Sequence, residues 1–288
     1  MPGASKEDAF KIEVDFLSKL NFPHLINLVD HRVQAKIKIG TRPEEKRPVI
    51  VLELAEGGEL FDFLSKQGRF IPELCRTYTK QLVAAIKYLA EVGVSHRDLK
   101  PENILFDKDF KLKVSDFGLS RDAKGNFGNF KLTSRVGTEG YKPPEMEQGN
   151  YTGLQADIFG TGVILFLMFN GTPPFLSTKP HDRIYKLIKD KNFQKFWALH
   201  EKNKPPGFYP DPFKRLMNSF FSAESDRRPT FESLENDEWM RGDDMMGNEL
   251  FEFMKIKADK LMEKDENKQK MAAIKKELYM NKGKKYLT

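Results

Sequence analysis

The sequence predicts an α+β fold in which a small mixed front portion precedes a large helical body. In the front portion, residues 9–20 place apolar side chains at helical spacing, which predicts a helix. Residues 33–39 alternate apolar and polar side chains as a strand does, and residues 49–54 form a short apolar run typical of a buried strand. The stretch between them, residues 40–48, is polar and contains proline, so we expect a loop there.

The helical body is predicted from Leu60 onward. Apolar residues recur there at helical spacing, most clearly between Leu74 and Leu89. Short extended pieces interrupt this pattern only around residues 104–106 and 112–114. The apolar stretch 158–169 is too short to span a bilayer, so we expect a buried helix and no membrane span.

Composition restricts the class of protein. The chain has 288 residues and a net charge of +6, but its 48 basic and 42 acidic residues are widely mixed, which argues only weakly for an acidic partner. Cys75 is the single cysteine, so an internal disulfide is excluded and a reducing compartment is expected. The N-terminus has no apolar segment like that of a signal peptide. We therefore expect a cytoplasmic protein, with a nuclear location as the alternative.

Residues 241–288 differ from the rest of the chain in composition. They are rich in lysine, contain no proline and have few large apolar residues. We expect a solvated or frayed tail, helical or disordered, with an exposed partner-binding helix as the alternative. The tail lacks interleaved aromatic residues and any recognition motif, so nucleic-acid binding is not predicted.

The stretch "VSHRDLKPENILF", residues 94–106, concentrates polar side chains between two short apolar runs. A second group, "SDFG", follows the strand-like residues 112–114. Phosphoryl transfer from a nucleotide needs a carboxylate at the hydroxyl, a cation near the phosphoryl group and oxygen ligands for magnesium. These groups are present, in that order, as Asp98, Lys100, and the pair Asn103 and Asp116.

Several motifs in one order make the chain resemble a eukaryotic protein kinase of the serine/threonine type. The resemblance covers roughly residues 9–240, and two of its stretches are similar to the calcium/calmodulin-dependent and AMP-activated groups, which leaves the subfamily open. It implies a bilobal fold with a truncated small β lobe and a large, mainly helical lobe. The motifs are "HRDLKPEN" at 96–103, "DFG" at 116–118, "GTEGYKPPE" at 137–145, "DIFGTGVILFLMFNGTPPF" at 157–175 and "DRRPT" at 226–230.

The resemblance implies a domain division. A protein kinase domain would cover residues 1–240, with a partial small lobe at 1–55 and the large lobe at 56–240. The lysine-rich tail would follow at 241–288.

The resemblance also implies roles for the polar groups, with ATP and Mg²⁺ as cofactors and protein side chains as substrates. Asp98 would be the catalytic base and Lys100 would contact the transferred phosphate. Asn103 and Asp116 would hold magnesium. A lysine two positions after the base is typical of the serine/threonine branch.

The nucleotide would lie against several further residues. The resemblance places a hinge beside adenine, Leu105 beneath the ring and Glu59 near the ribose. The hinge residues would be Leu52, Glu53 and Ala55. Glu59 and Glu102 also stand where related kinases that favour arginine upstream of the phosphoacceptor carry acidic groups, so a basic substrate motif is a hypothesis.

Other residues would have structural or regulatory roles. The resemblance implies a buried ion pair between Glu145 and Arg228, and it implies that Asp157 braces the catalytic loop. Arg97 suggests control by an upstream kinase, because a phosphate on the loop that follows could pair with it. Thr133 and Ser134 are the candidate phosphoacceptors, and Ser134 is the better placed. The alternative is that both are ordinary polar loop residues.

Two features expected from the resemblance, including the lysine that would pair with Glu13, have no match in the sequence. Glu13 resembles the glutamate of the family's helix C, but the glycine-rich loop and the strand lysine that belong upstream have no match in the sequence. Lys11 lies two positions from Glu13 on one helix, so the two side chains diverge.

Three hypotheses account for this pattern. We favour an incomplete version of an active kinase, because the catalytic-loop residues are intact. A pseudokinase that acts as a non-catalytic binding module is the second hypothesis. An active kinase completed by another chain is the third.

Overall fold

The structure is a computed structural model that describes residues 6–38, 40–41, 43–122 and 131–264. Within these ranges a helix and a hairpin precede a mainly helical body, so the predicted fold class is confirmed. The helices are α1 Lys6–Leu17, α2 Leu60–Gln67, α3 Pro72–Glu91, α4 Pro144–Gln148, α5 Gly153–Asn170, α6 Arg183–Lys189, α7 Phe193–Glu201, α8 Asp211–Phe220, α9 Phe231–Glu235 and α10, residues 247–264. The strands are β1 Leu28–Ile37, β2 Glu45–Leu52, β3 Gly58–Glu59, β4 Val94–Ser95, β5 Ile104–Phe106, β6 Leu112–Val114, β7 Arg121–Asp122, β8 Lys131–Leu132 and β9 Tyr151–Thr152.

The front hairpin pairs β1 with β2 in antiparallel orientation. The loop predicted over residues 40–48 is wrong in its second half, because β2 already begins at Glu45. Pro48 lies inside β2 and lacks the N–H that a ladder bond needs. The register shifts between Arg32 and Ala35 on the facing strand, opposite Pro48, so the irregular pairing accommodates the missing donor.

A three-stranded sheet in the order β3, β5, β6 links the two portions of the chain. Leu25, just before β1, forms an isolated bridge with Val114 of β6. Both extended pieces predicted in the helical body are strands of this sheet, β5 and β6. The sheet brings the segment after β2 next to the residues that precede β5 and those that follow β6, and the polar motifs lie there.

The core of the helical body surrounds α5. Gly162 lies so close to α8 that an added Cβ would stand 2.4 Å from the Cβ of Phe220, so only glycine allows this approach. By length and composition alone α5 could cross a membrane, but 83% of it is buried, as in a core helix. Among the described residues it is the one helix with that composition.

The predicted solvated tail is wrong for its first part. The core packing continues past residue 240, because Met245, Leu250 and Met254 are buried in the main hydrophobic cluster. The backbone N–H of Met245 donates to Thr77 Oγ1 at 2.8 Å, and this bond fixes the segment to α3. The few large apolar residues of α10 are therefore enough to attach it. Residues 265–288 of the predicted tail lie outside the described residues.

A second, smaller hydrophobic cluster stands apart from the main core. It contains Leu132, Met146, Tyr151 and Ala156, with Val136 packed against it. It joins the short β8–β9 pair to α4 and the start of α5. The segment 131–136 thus has its own anchor.

Candidate active site

The loop between β4 and β5 is held from below by a buried carboxylate. Asp157 on α5 accepts the backbone N–H groups of His96 at 2.8 Å and Arg97 at 2.7 Å. Arg97 has a φ of 70°, which is costly for a side chain other than glycine, and these bonds hold it there. Burial raises the pKa of Asp157, and the charges and N–H groups of His96 and Arg97 oppose that rise. This bracing determines where the next residue, Asp98, lies.

Asp98 stands at the centre of a hydrogen-bonded network. Its Oδ1 accepts the backbone N–H of Thr138 at 2.8 Å and the Thr138 hydroxyl at 2.7 Å. Its Oδ2 accepts Lys100 Nζ at 2.8 Å. Burial would raise the pKa of Asp98, but the bonds from Lys100 and Thr138 outweigh burial and lower it. Asp98 is therefore held as a carboxylate beside an ammonium group.

Asn103 and Asp116 lie at the ends of the adjacent strands β5 and β6. Asn103 Nδ2 donates to the backbone carbonyl of Asp98 at 2.9 Å, which leaves its amide oxygen for another partner. The backbone N–H of Ser115 donates to the Asn103 carbonyl at 2.9 Å, so the two strand ends are joined. Asp116 follows with a φ of 63°. Its charge helps to raise the pKa of Lys100, so the two loops meet at this point.

The oxygens of Asn103 and Asp116 fit a hard cation such as Mg²⁺. In the described part of the chain, no group of three or more His, Cys, Asp or Glu side chains is placed to hold a metal alone. A magnesium ion would therefore need further oxygen ligands from nucleotide phosphates and water, which is how Mg²⁺ is held in phosphoryl-transfer sites.

Glu13 of α1 lies in the same region. Burial raises its pKa, and the charge of Asp116 raises it further. Among the residues that the structure describes, no cationic side chain pairs with Glu13. The structure thus brings Glu13 toward Asp116.

The segment 52–55 connects β2 to β3 beside this site. The backbone N–H of Glu53 donates to the Asn27 carbonyl at 3.0 Å. The Glu53 carboxylate accepts Lys113 Nζ at 2.6 Å, so it is already paired and leaves only backbone groups for a nucleotide. Leu52 is 38% exposed and Ala55 is half-buried, so both present apolar surface at this edge.

The remaining nucleotide-site candidates follow on the three-stranded sheet. Glu59 of β3 is directly opposite Leu105 of β5, and Leu105 is half-buried. Glu102 is exposed, and its charge contributes to the raised pKa values of Lys100 and Tyr141. The Glu102 carboxylate therefore lies near Lys100 of the Asp98 network, and Glu59 lies across from Leu105.

Arg97 reaches the segment 131–136. Its Nη1 donates to Ser134 Oγ at 2.6 Å and to the Tyr151 hydroxyl at 3.0 Å, and its guanidinium also bonds the Leu119 carbonyl. Burial lowers the pKa of Arg121, and the nearby charge of Arg97 lowers it further. The structure thus brings Ser134 to the Arg97 guanidinium, with Arg121 near Arg97, whereas Thr133 is exposed.

Glu145 and Arg228 form an ion pair inside the body. Arg228 Nη1 and Nη2 donate to the two carboxylate oxygens at 2.5 Å and 2.8 Å. The Arg228 side chain has no solvent exposure and that of Glu145 is 13% exposed.

Sequence reasoning missed two residues of the site. Thr138 binds both Asp98 and Lys100. It directly follows the first glycine of the "GTEGYKPPE" motif, and this position could have marked it as a site residue. Lys113 is buried and pairs with Glu53, although it lies in an apolar strand where a lysine is unusual. Its isolated charge in "KLKV" could have marked it.

Comparison with known families identifies the chain. The family model of the protein kinase domain matches residues 3–240. The chain belongs to the protein kinase family. The predicted resemblance is therefore confirmed, and curated relatives place this kinase in the serine/threonine branch.

Three relatives illustrate the range of the match. This kinase is 32% identical to serine/threonine-protein kinase AtPK1/AtPK6 of Arabidopsis thaliana over 81% of its chain. It is 33% identical to maternal embryonic leucine zipper kinase of Danio rerio over 81%, and 32% identical to CBL-interacting serine/threonine-protein kinase 5 of Arabidopsis thaliana over 83%. The aligned regions cover 46%, 31% and 49% of those relatives, so this kinase spans less than half their length.

Proposed function

We propose that this chain transfers the γ-phosphate of ATP to serine and threonine hydroxyls of proteins. The observation that carries the proposal is the network that holds Asp98 between Lys100 and Thr138, close to Asp116. Family membership supports the same reaction, and within the described residues nothing favours the non-catalytic alternative. A cytoplasmic location stays a prediction. It is inferred in part from the single cysteine, Cys75, which is free and buried in the structure.

The network leaves room for the substrate hydroxyl. A carboxylate offers about four lone-pair sites, and three donors already occupy sites on Asp98. The open site is on Oδ2, beside Lys100. A serine or threonine hydroxyl would donate there, so Asp98 would orient it and accept its proton, while Lys100 would face the transferred phosphate.

The nucleotide would lie between segment 52–55 and Leu105. Backbone groups of Glu53 and Ala55 would bind the adenine edge, and Glu59 would lie near the ribose. Asn103 and Asp116 would hold Mg²⁺, which neutralises phosphate charge when bound. The paired Glu53 carboxylate would fix the segment rather than touch the nucleotide.

The test of the proposed activity is transfer from γ-labelled ATP to serine, threonine and tyrosine peptides. Replacing Asp98→Asn keeps the side-chain shape but removes the charge that accepts the proton, so we expect the rate to fall about 10²–10⁴-fold. ATP binding should persist in the variant. Labelled phosphotyrosine as the main product, or an unchanged rate in the variant, would refute the assignment.

We also propose that phosphorylation of Ser134 by an upstream kinase raises activity. The proposal is supported by the bond from Arg97 Nη1 to Ser134 Oγ at 2.6 Å, and charge-assisted bonds from Arg97 to a phosphate would order segment 131–136. Ser134→Ala should abolish activation by phosphorylation, whereas Thr133→Ala should leave it intact. Activation that survives Ser134→Ala and is lost in Thr133→Ala would reassign the site.

The substrate proposal is a peptide with basic residues near the phosphoacceptor. Glu59 and Glu102 are exposed carboxylates, Glu102 lies near Lys100 of the Asp98 network, and opposite charges in a substrate favour encounter. Peptides with arginine before the serine should have a lower KM than matched glutamine peptides. Equal KM values would count against this preference.

A further inference from the structure

Two adjoining cavities lie on the large lobe, away from the nucleotide site. The first has a volume of about 370 Å³ and lies between the end of α6, the start of α7 and α8. The second has a volume of about 290 Å³ and lies between α4, residues 178–180 and α6. Lys189 and Ala223 line both, so the two cavities adjoin, and we describe them together as one groove.

Cationic side chains outnumber acidic ones in the lining of the groove. Its acidic lining residues are Asp190 and Glu224. We call it the basic groove and define it by its six cationic lining residues, Lys179, Lys186, Lys189, Lys191, Arg215 and Arg227.

Five of these six cations already have a carboxylate partner at the surface. Lys179 pairs with Glu139, Lys186 with Asp190, Arg215 with Glu238, and both Lys191 and Arg227 with Glu224. Lys189, in the wall common to both cavities, has no ion-pair partner among the described residues. Most of these side chains are exposed, so their existing pairs are weak and an incoming anion can compete for them.

One end of the basic groove leads to the candidate active site. Lys179 Nζ donates to Glu139 Oε2 at 2.9 Å. Glu139 directly follows Thr138, the residue that binds Asp98. Thr178, also in the groove wall, donates its hydroxyl to the Lys142 carbonyl at 3.0 Å on the same segment. A polypeptide with its hydroxyl at Asp98 could therefore continue into the groove.

We propose that the basic groove binds an acidic segment of the protein substrate, at a distance from the phosphoacceptor. The inference rests on the proposed kinase function for the identity of the partner, but the charge of the groove is independent of it. Ile188 and Phe193 contribute apolar walls, so carboxylates flanked by apolar residues suit the groove. Exposed charges of this kind mainly accelerate encounter and make binding sensitive to salt.

A binding experiment tests the groove without any need for catalysis. A fluorescein-labelled hexaglutamate peptide is titrated with the full chain, and the anisotropy gives Kd. Lys189→Glu combined with Arg215→Glu should weaken binding by about tenfold or more. Lys195→Glu combined with Lys202→Glu changes the net charge equally on exposed residues that line neither cavity, and it should leave Kd within about twofold.

A kinetic experiment then links the groove to the substrate. A serine peptide with a C-terminal acidic extension is compared with the same peptide without it. The Lys189 and Arg215 double variant should raise KM for the extended peptide with little change in kcat, and both constants should stay unchanged for the short peptide.

The outcomes separate the two proposals. Failure to phosphorylate any peptide, with hexaglutamate bound at the groove, would refute the kinase function and keep the groove. Equal loss of binding in both double variants, or no loss in the groove variant, would overturn the groove. Tighter binding of a single-stranded oligonucleotide than of hexaglutamate at the same residues would also overturn it. If the charge reversal unfolds the chain, Lys189→Gln with Arg215→Gln replaces it, with thermal unfolding as the check.

Discussion

Arg228 illustrates how a buried charge is satisfied at the scale of single residues. Besides its two bonds to Glu145, it donates to the carbonyls of Gln155 at 2.9 Å and Ser222 at 3.0 Å. Its guanidinium carbon also lies 5.0 Å from the centre of the Phe159 ring. All three nitrogens donate, in four hydrogen bonds in total, so the buried charge is well compensated.

Glu145→Ala should destabilise the fold because it leaves this guanidinium without its counter-ion. We expect the free energy of unfolding to fall by about 3 kcal/mol, measured by urea denaturation. Glu147→Ala on the same helix is the control, since Glu147 is 31% exposed and pairs with Lys142 at 2.7 Å. In the control variant the free energy of unfolding should fall by less than about 1 kcal/mol. Equal effects would show that the loss reflects helix α4 and not the ion pair.

Residues close together in sequence were the predictable part of the site. Asp98, Lys100 and Asn103 lie on one loop, and their roles follow from spacing and family resemblance. Thr138 reaches Asp98 from 40 residues away, so only the folded chain shows that contact. The pairing of Lys113 with Glu53 likewise joins two strands that local patterns describe separately.

At the scale of elements, α10 shows that lysine-rich composition alone does not predict whether a helix packs against the core. Its lysine content indicated a solvated tail, yet Met254 has no exposed surface and lies in the main core. The other face of the helix is polar or exposed, as with Met262, which is 63% exposed. A sparse apolar stripe is sufficient when the surface it meets is already formed by α3 and neighbouring helices.

Met254→Ala should lower the free energy of unfolding by about 2–4 kcal/mol, because it opens a cavity under α10. Met262→Ala removes the same atoms from an exposed position on the same helix and should change stability by less than about 0.5 kcal/mol. Chemical denaturation of both variants measures the difference. If the two variants unfold alike, α10 does not belong to the cooperative core.

The β1–β2 hairpin shows that local composition also fails to predict where a strand begins. Pro48 and the charges around it predicted a loop, whereas pairing with β1 extends β2 back to Glu45. Propensity is overridden here because the irregular register lets a residue without an N–H occupy the strand.

At the scale of the whole molecule, two half-buried histidines link stability to pH. Burial lowers the pKa of His24 and His200 below the ordinary 6.5, although each ring also bonds a backbone carbonyl. Between those lowered values and 6.5 the unfolded chain binds more protons than the folded chain. Stability should therefore increase as pH rises through this window and decrease as pH falls through it.

Thermal unfolding at about pH 7.5 and about pH 5.5 measures this linkage. His24→Asn and His200→Gln place amide N–H donors near the positions of the ring nitrogens but cannot titrate. The melting temperature of the double variant should fall less between the higher and the lower pH than that of the unmodified chain. The same loss in both proteins would show that other groups control the acid response.

The bilobal architecture was predictable because hydrophobic periodicity and ordered motifs agree over most of the chain. The long-range contacts that attach α10 and join the strand ends were not, since they depend on surfaces that exist only after folding. The predicted roles of individual residues stay predictions until variants are measured.

The small cluster of Leu132, Met146, Tyr151 and Ala156 has an energetic consequence for control of the enzyme. So few buried apolar side chains contribute only several kcal/mol, and the backbone entropy lost in fixing residues 131–136 opposes them at about 1–2 kcal/mol per residue. The apolar contacts alone therefore do not exceed this entropic cost by a wide margin. The phosphate that we propose on Ser134, with one to three new charge-assisted bonds, would add stability to the ordered segment.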